Sequence, residues 1–472
     1  MPIDRTRLDE AFNPKAIAVV GAKRSANYSW LRNMQTFKGR LYSVQIDPTE
    51  IPGIEELGIA NYLHVTDIPD QVDYAVIAVP RRVVPAVLGE CIQKGVKTVH
   101  VFASGFAESG TPDGIEAQER ITKMAEESGT LLLGPNCMGV FNPAMGMRFN
   151  TEQRVGVPGA VAFIAQSGGH AGSLTQAAEA SGIAVNKTVS FGNAALIDST
   201  DLLEYFSEDD STRVIVLYVE GPRDGHRFFQ VLRSTAQRKP VVVWKGGQTE
   251  DGRRAVASHT GALAGSADLW GIALRQAGAV PAHSLEEALD ATKALLHLPR
   301  STGVGVGIIG GTGGQSVSMT DAFARHGLRV PRLSPPSLQR LAEFFQLVGA
   351  SYFNPMDVGG LNRSMLETIV EILFADSEVS AVVVQLGAGA LRGNREEGLA
   401  QLDLYRRARD RTGKPLLAIF NSANPYRDGA LLDELERVLQ GMSVPSFPSA
   451  DRAALALGRF VNYHRVVASD GA

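Results

Sequence analysis

Short apolar runs that end at glycine and lead into helical stretches recur along this chain. Ala16-Ile17-Ala18-Val19-Val20-Gly21 is the first, and residues 160–165 leading into Gln166-Ser167-Gly168-Gly169 are another. Val304-Gly305-Val306-Gly307-Ile308-Ile309, leading into Gly310-Gly311-Thr312-Gly313-Gly314, repeats the arrangement. A strand without polar alternation must be buried on both faces, and helices covering both sides of a parallel sheet provide that burial. The pattern predicts an α/β fold of parallel sheets, in which ligands bind beyond the carboxyl ends of the strands. Further strands are expected at 41–44, 74–79, 98–102, 214–219, 240–244, 381–384 and 415–420.

A chain of 472 residues has room for about three domains of ordinary size. Linker-like composition near Pro158 and at Pro299-Arg300-Ser301-Thr302-Gly303 predicts domains at 1–150, 151–300 and 301–472. A net charge of −4 offers no case for a nucleic-acid or membrane-surface partner. Two cysteines, Cys91 and Cys137, argue against a disulfide framework and against a cysteine metal site, so no metal ligands are expected in this chain. Cys137 reads as a small buried residue. The first ten residues are charged rather than apolar, and no apolar run reaches the roughly 20 residues that span a bilayer. The cytoplasm is the expected location.

Two of the glycine-rich loops open helices, and a helix N-terminus offers unpaired N–H groups and about half a positive charge. Glycine removes the Cβ that would hold a phosphate away. Ser167, Gly168 and Gly169 are therefore expected to bind phosphate, as are Gly311, Thr312, Gly313 and Gly314. His259 stands among small residues in Ala257-Ser258-His259-Thr260-Gly261-Ala262-Leu263-Ala264-Gly265. By itself this segment fits either a histidine at a capped helix start or one that visits two places. A phosphate between two helix ends can pass to a neutral imidazole whose other ring N–H is held by a carboxylate. Glu220, expected at the end of a strand, fits that role, and it fits equally a surface carboxylate or a helix-start anion.

In the first domain the strand ends carry Gly21-Ala22-Lys23-Arg24-Ser25, Asp47-Pro48, Pro80-Arg81-Arg82, Ala103-Ser104-Gly105-Phe106 and Gly134-Pro135-Asn136-Cys137. The first of these is not GxGxxG, and Pro48 directly follows Asp47, so the dinucleotide fingerprint is missing.

Gly134-Pro135-Asn136-Cys137-Met138-Gly139, Gln166-Ser167-Gly168-Gly169, Tyr218-Val219-Glu220-Gly221, Ser258-His259-Thr260-Gly261-Ala262-Leu263-Ala264-Gly265 and Asn354-Pro355-Met356-Asp357-Val358-Gly359-Gly360 occur in that order. Together they resemble the NDP-forming acyl-CoA synthetases, a group that includes ADP-forming acetyl-CoA synthetase and, more distantly, succinyl-CoA synthetase. The resemblance covers nearly the whole chain. It implies a CoA-binding Rossmann-like domain followed by two flavodoxin-like domains of the succinyl-CoA synthetase type. It implies CoA contacts at Gly21, Ala22, Lys23, Ser25, Pro48, Val79, Pro80, Ser104, Gly105, Phe106 and Asn136. His259 would take phosphate from an acyl phosphate, with Glu220 holding its ring, and pass it to ADP. A pocket near Asn136, Arg148, Phe149 and His170 would take a small carboxylic acid.

No ATP-grasp module is recognisable in the chain. The resemblance therefore implies an α subunit that needs a separate ATP-grasp β subunit, where ATP or ADP would bind with Mg2+, in a hetero-oligomer or with a homodimer of this chain. Lys23 stands where a serine is common, Gln45-Ile46-Asp47-Pro48 where Val-Asn-Pro is usual, and His170 where a small or apolar residue is usual. Two other roles share the fold: an acyl, CoA or carbamoyl transferase without nucleotide chemistry, and a non-catalytic CoA-binding regulator. A phosphohistidine has no use in the first, and three domains with both glycine-rich loops are more than the second requires.

Overall fold

The computed structural model describes residues 3–260, 267–310, 313–344, 353–358, 362–387, 389–392, 394–421 and 425–470, without the side chains at 257–260, 267, 313, 390, 392, 421, 425–427 and 470. It forms two compact units, residues 1–288 and 289–472. The first unit holds two sheets and the second holds one.

The first sheet is built from β1 (Ala16–Val20), β2 (Arg40–Val44), β3 (Ala60–Tyr62), β4 (Tyr74–Ile77), β5 (Thr98–Val101) and β6 (Leu131–Leu133). Their order is β3-β2-β1-β4-β5-β6, and every pairing is parallel. This is the doubly wound Rossmann order, whose switch point lies between β1 and β4. The second sheet contains β7 (Gly139–Phe141), β8 (Val161–Ala165), β9 (Val185–Ser190), β10 (Val214–Val219), β11 (Val241–Lys245) and β12 (Val280–Ala282). Its order is β12-β11-β10-β8-β9-β7, with β7 alone antiparallel, against β9. The five parallel strands follow the flavodoxin-like order.

All residues of β1, β4, β8 and β10 are buried, as unbroken apolar runs require, and β5 is buried although it carries Thr98 and His100. One apolar cluster joins the two sheets: Ile17, Val19, Tyr74 and Leu133 share it with Ile164, Val189, Leu217 and Val243. Phe12, from the first helix Arg5–Phe12, meets Tyr205 edge-on at 4.8 Å and stacks on Phe206 at 5.7 Å. This shared core is the physical reason that residues 1–288 form one unit. The second unit contains β13 (Val306–Ile309), β14 (Ala381–Gly387), β15 (Leu416–Asn421) and β16 (Ser446–Phe447), parallel and in that order. Val382, Val384, Ile369 and Leu373 belong to its own core.

Strand β9 is buried along its whole length although it reads Val-Asn-Lys-Thr-Val-Ser. Its polar groups are paired by other segments. Lys187 Nζ lies 3.2 Å from Asp209 Oδ2, Asn186 Nδ2 donates to Ser211 and Thr212 hydroxyls at 2.8 Å each, and the Thr175 and Thr188 hydroxyls are 2.9 Å apart. Burial alone would raise the Asp209 carboxyl, but Ser211, Lys187 and Thr212 outweigh it and hold the group at about 2. A carboxyl so depressed contributes stability above its ordinary value that is lost as pH falls through about 2. Removing one partner of a buried pair leaves the other charge uncompensated. Lys187→Met is expected to destabilise the first unit by about 3 kcal/mol. Its melting curve should also become sensitive to acid at higher pH, and an unchanged acid limb would contradict the pairing.

Candidate functional site

The carboxyl ends of the two sheets in the first unit enclose a cleft of about 500 Å3. Val79, Pro80 and Arg81 follow β4, Phe102, Ala103 and Ser104 follow β5, and Asn136, Cys137 and Met138 follow β6. The second sheet contributes Gln166, Ser167, Gly168 and Gly169 after β8, Gly192 and Asn193 after β9, and Glu220 after β10. Four of the expected CoA residues (Val79, Pro80, Ser104 and Asn136) therefore share one cavity with the Ser167-Gly168-Gly169 loop and Glu220.

Gly168 and Gly169 begin the helix Gly168–Ala180, and Ser167 caps it by accepting the His170 N–H at 3.3 Å. The N–H groups of Gly168 and Gly169 belong to the first turn, which has no intrahelical acceptors. They give the cleft an anion-binding end. Gln166 ties this loop to the next strand: its Oε1 accepts the Glu220 N–H at 2.8 Å and the Gly221 N–H at 3.3 Å.

Glu220 is 5% exposed. Its Oε1 accepts the Tyr218 hydroxyl at 3.2 Å. Burial, followed by Glu220, pushes the Tyr218 phenol well above its ordinary value, so it remains a donor. Glu220 Oε2 is buried and has no hydrogen-bond partner among the described residues. An unpaired buried carboxylate oxygen is costly, and a donor arriving from elsewhere would relieve that cost.

His259 falls in the last turn of the helix Glu250–Thr260. The sequence pattern predicts a capped helix start or a mobile loop here, whereas residues 257–260 continue a helix. The run has no proline or glycine between Gly252 and Gly261, so nothing in it interrupts a helix. The His259 side chain and residues 261–266 lie outside the described residues. The helix packs on the turn Ala107–Ser109, which follows the cleft-lining segment after β5.

The remaining expected CoA residues lie along the same sheet edge but do not line the cavity. Gly21 has φ +88°, and a Cβ there would stand 2.5 Å from Val79 Cγ1, so glycine is required for the loops to close. Ala22 is buried, while Lys23, Ser25 and Pro48 are exposed. Gly105 accepts a bond from the Arg81 guanidinium. Phe106 is fully buried in the core of the first sheet, so only its backbone can meet a ligand. Gly313 and Gly314 open the helix Gly313–Arg325 in the second unit, and Gly311 and Thr312 lie outside the described residues.

Of the residues expected at an acid pocket, Asn136 lines the cleft, while Arg148, Phe149 and His170 are not among its lining residues. The Arg148 guanidinium donates to the backbone carbonyls of Asn33, Thr151 and Arg32 at 3.2, 3.0 and 3.4 Å, and Phe149 is buried. His170 packs its ring on Tyr218 and Trp244 at 4.3 and 4.5 Å. Burial lowers its pKa, against the pull of Glu220. Cys137 is buried, and burial pushes its thiol up to about 12, which removes it as a nucleophile.

Phe102, Gly192 and Asn193 line the cleft without having been picked out from the sequence, where Gln166 and Met138 stood only as members of motifs. Gly192 and Asn193 lie next to each other in the chain and follow β9, whose polar composition concealed the strand. Asn193 N–H donates to Pro135 O at 3.0 Å, and its side chain donates to Gln118 at 2.9 Å. Gly192 has φ +56°, and a Cβ there would lie 2.3 Å from Pro135 O and 2.4 Å from Asn136 O. Gly192→Ala must push these loops apart. It is expected to cost about 1–3 kcal/mol and to weaken CoA binding. Calorimetric titration with CoA checks this, and unchanged affinity would separate the loop contact from the binding site.

Residues 15–143 match the family described as CoA binding domain, and residues 158–295 match that described as succinyl-CoA ligase like flavodoxin domain. The chain is 34% identical to acetate–CoA ligase (ADP-forming) I subunit alpha of Pyrococcus furiosus, over 97% of this chain and 98% of that one. It is 33% identical to acetate–CoA ligase (ADP-forming) I of Archaeoglobus fulgidus over 98% of its own length, but spans only 64% of that protein. A solved structure of the dinucleotide forming acetyl-coenzyme A synthetase 1 of Ca. Korarchaeum cryptofilum, in complex with phosphate and ADP, superposes with a TM-score of 0.82 at 32% identity. That match covers 98% of this chain and 97% of the other.

Proposed function

The chain belongs to the ADP-forming acyl-CoA synthetases, and from that membership we propose that it is the α-type chain of an acid–thiol ligase working through a phosphohistidine at His259. The net reaction is acid + CoA + ATP ⇌ acyl-CoA + ADP + phosphate. In the cleft, the acyl phosphate lies against the first turn of the helix Gly168–Ala180. One imidazole nitrogen of His259 attacks phosphorus, the bond from phosphorus to the acyl oxygen breaks, and the carboxylate leaves with the electron pair. The other ring nitrogen keeps its proton, bonded to Glu220. The phosphoryl group then passes to ADP on a separate ATP-grasp chain, which supplies the Mg2+ site.

The observation that carries this function is Glu220 Oε2: buried, unpartnered among the described residues, and placed at the cleft that holds the glycine-rich helix start. A second chain is inferred from the P. furiosus relative, which is called a subunit alpha. The domains are taken as 1–150, 151–300 and 301–472, one sheet to each, with β7 contributed across the first boundary. The cytoplasm is the proposed location, since no helix among the described residues is long and apolar enough to cross a membrane.

The test is incubation of the full chain with labelled acetyl phosphate, with acyl-CoA and labelled phosphate as a second donor pair. A phosphate that is acid-labile and alkali-stable is expected. Absence of label from both donors, with CoA bound, would overturn the function in favour of a transferase or a CoA-binding regulator.

A further inference from the structure

Lys245 is the last residue of β11 and pairs in register with Val219, next to Glu220. It is 5% exposed, as Glu220 is. Its Nζ donates to the carbonyl of Gly246 and lies 5.2 Å from the centre of the Trp270 ring. An ammonium has three donors, and a carbonyl with an aromatic face satisfies only part of that capacity. Gly246 brings the two strand ends together: a Cβ there would meet the Tyr218 hydroxyl at 2.7 Å and Glu220 Cγ at 3.2 Å.

We propose that Lys245 is a positioning residue for phosphoryl transfer to His259, its buried ammonium supplying the positive charge that balances the Glu220 carboxylate and the incoming phosphoryl group. The proposal rests on the phosphohistidine function above. Arg81 also lines the cleft, but its guanidinium donates to the Gly105 carbonyl on the first-sheet side; at the second sheet a carboxylate and a phosphate would share the site with a helix end, and like charges there repel. Lys245 does not touch the reacting atoms; it acts through Glu220.

The groups facing Lys245 set the pH at which this balance fails. Burial lowers its ammonium to about 8, Glu220 opposes the fall, and Arg253 on the helix Glu250–Thr260 adds to it. Trp270 is uncharged, the Tyr218 phenol stays protonated, and burial lowers the His170 pKa so that it is neutral at alkaline pH. Lysine is charged below its pKa, so the balancing charge is present at neutral pH and disappears as pH rises through about 8. Phosphorylation should therefore lose rate on the alkaline side.

The experiment measures the initial rate of labelling of the full chain by acetyl phosphate, which contains no titrating thiol, from about pH 6.5 to 9.5. Wild type is expected to lose rate around pH 8. Lys245→Met is expected to label at least about tenfold more slowly at neutral pH and to show no alkaline limb. Lys245→Arg should restore label and carry the limb beyond the range, because a guanidinium stays charged there. A flat wild-type profile overturns the proposal, as does a Lys245→Met profile that keeps the limb. If Lys245→Met does not fold, judged by melting and CoA binding, the wild-type limb and the arginine variant still decide. A wild type that never labels overturns the function itself; a labelled wild type whose profile ignores Lys245 overturns only this role.

Discussion

His259→Ala is expected to abolish the phosphoenzyme and to lower turnover by about 10^3-fold or more. The nucleophile is lost outright, and neither Cys137 nor His170 is expected to replace it. Cys137 is buried with its thiol raised to about 12, and the His170 ring is packed against Tyr218 and Trp244. The described lining of the cleft and its helix start come from other segments, so CoA affinity should stay within about twofold of wild type. Intact mass after treatment with acetyl phosphate reads the first effect, and calorimetry reads the second. Acid-labile phosphate surviving in the variant would place the acceptor elsewhere. Loss of both label and CoA binding would point to a misfolded protein instead.

Glu220→Gln should slow phosphorylation by about 10^2-fold or more while leaving the fold intact. The amide can still accept from Tyr218, as Glu220 Oε1 does at 3.2 Å. It would then present an NH2 where Oε2 lies, a donor facing the imidazole N–H. That favours the wrong tautomer and withdraws the charge that stabilises the imidazolium formed during transfer. The substitution also removes the carboxylate that opposes the fall of the Lys245 pKa, so melting and CoA binding are measured beside the labelling rate. Slower labelling at undiminished stability separates an acting residue from a structural one. A labelling rate equal to wild type would mean that Glu220 does not hold the ring.

The parallel sheets were legible in the sequence because the buried strands β1, β4, β8 and β10 are apolar without interruption. Strand β9 was not, because Asn186, Lys187 and Thr188 read as surface residues. Its burial becomes affordable only through Asp209, Ser211, Thr212 and Thr175, which lie on other segments. The Ser167-Gly168-Gly169 helix start and the strand-end Glu220 could be read directly, since both depend on local signals. Arg148 shows the limit of such signals: local sequence shows a cation, but not the three carbonyls that engage it.

The sequence by itself determined the apolar strands, the glycine turns after them and the helices those turns open. These follow from hydrophobic periodicity and from φ freedom, which act over a few residues. Only the tertiary structure decided which loops meet. Gln166 reaches Glu220 across 54 positions and Asn193 reaches Gln118 across 75. Lys245 acquires a lowered pKa only because folding buries it, against the opposing pull of Glu220. Desolvation, like the orphaned oxygen of Glu220, belongs to the packed cleft, because removing water from a charged group requires walls that no single segment can supply.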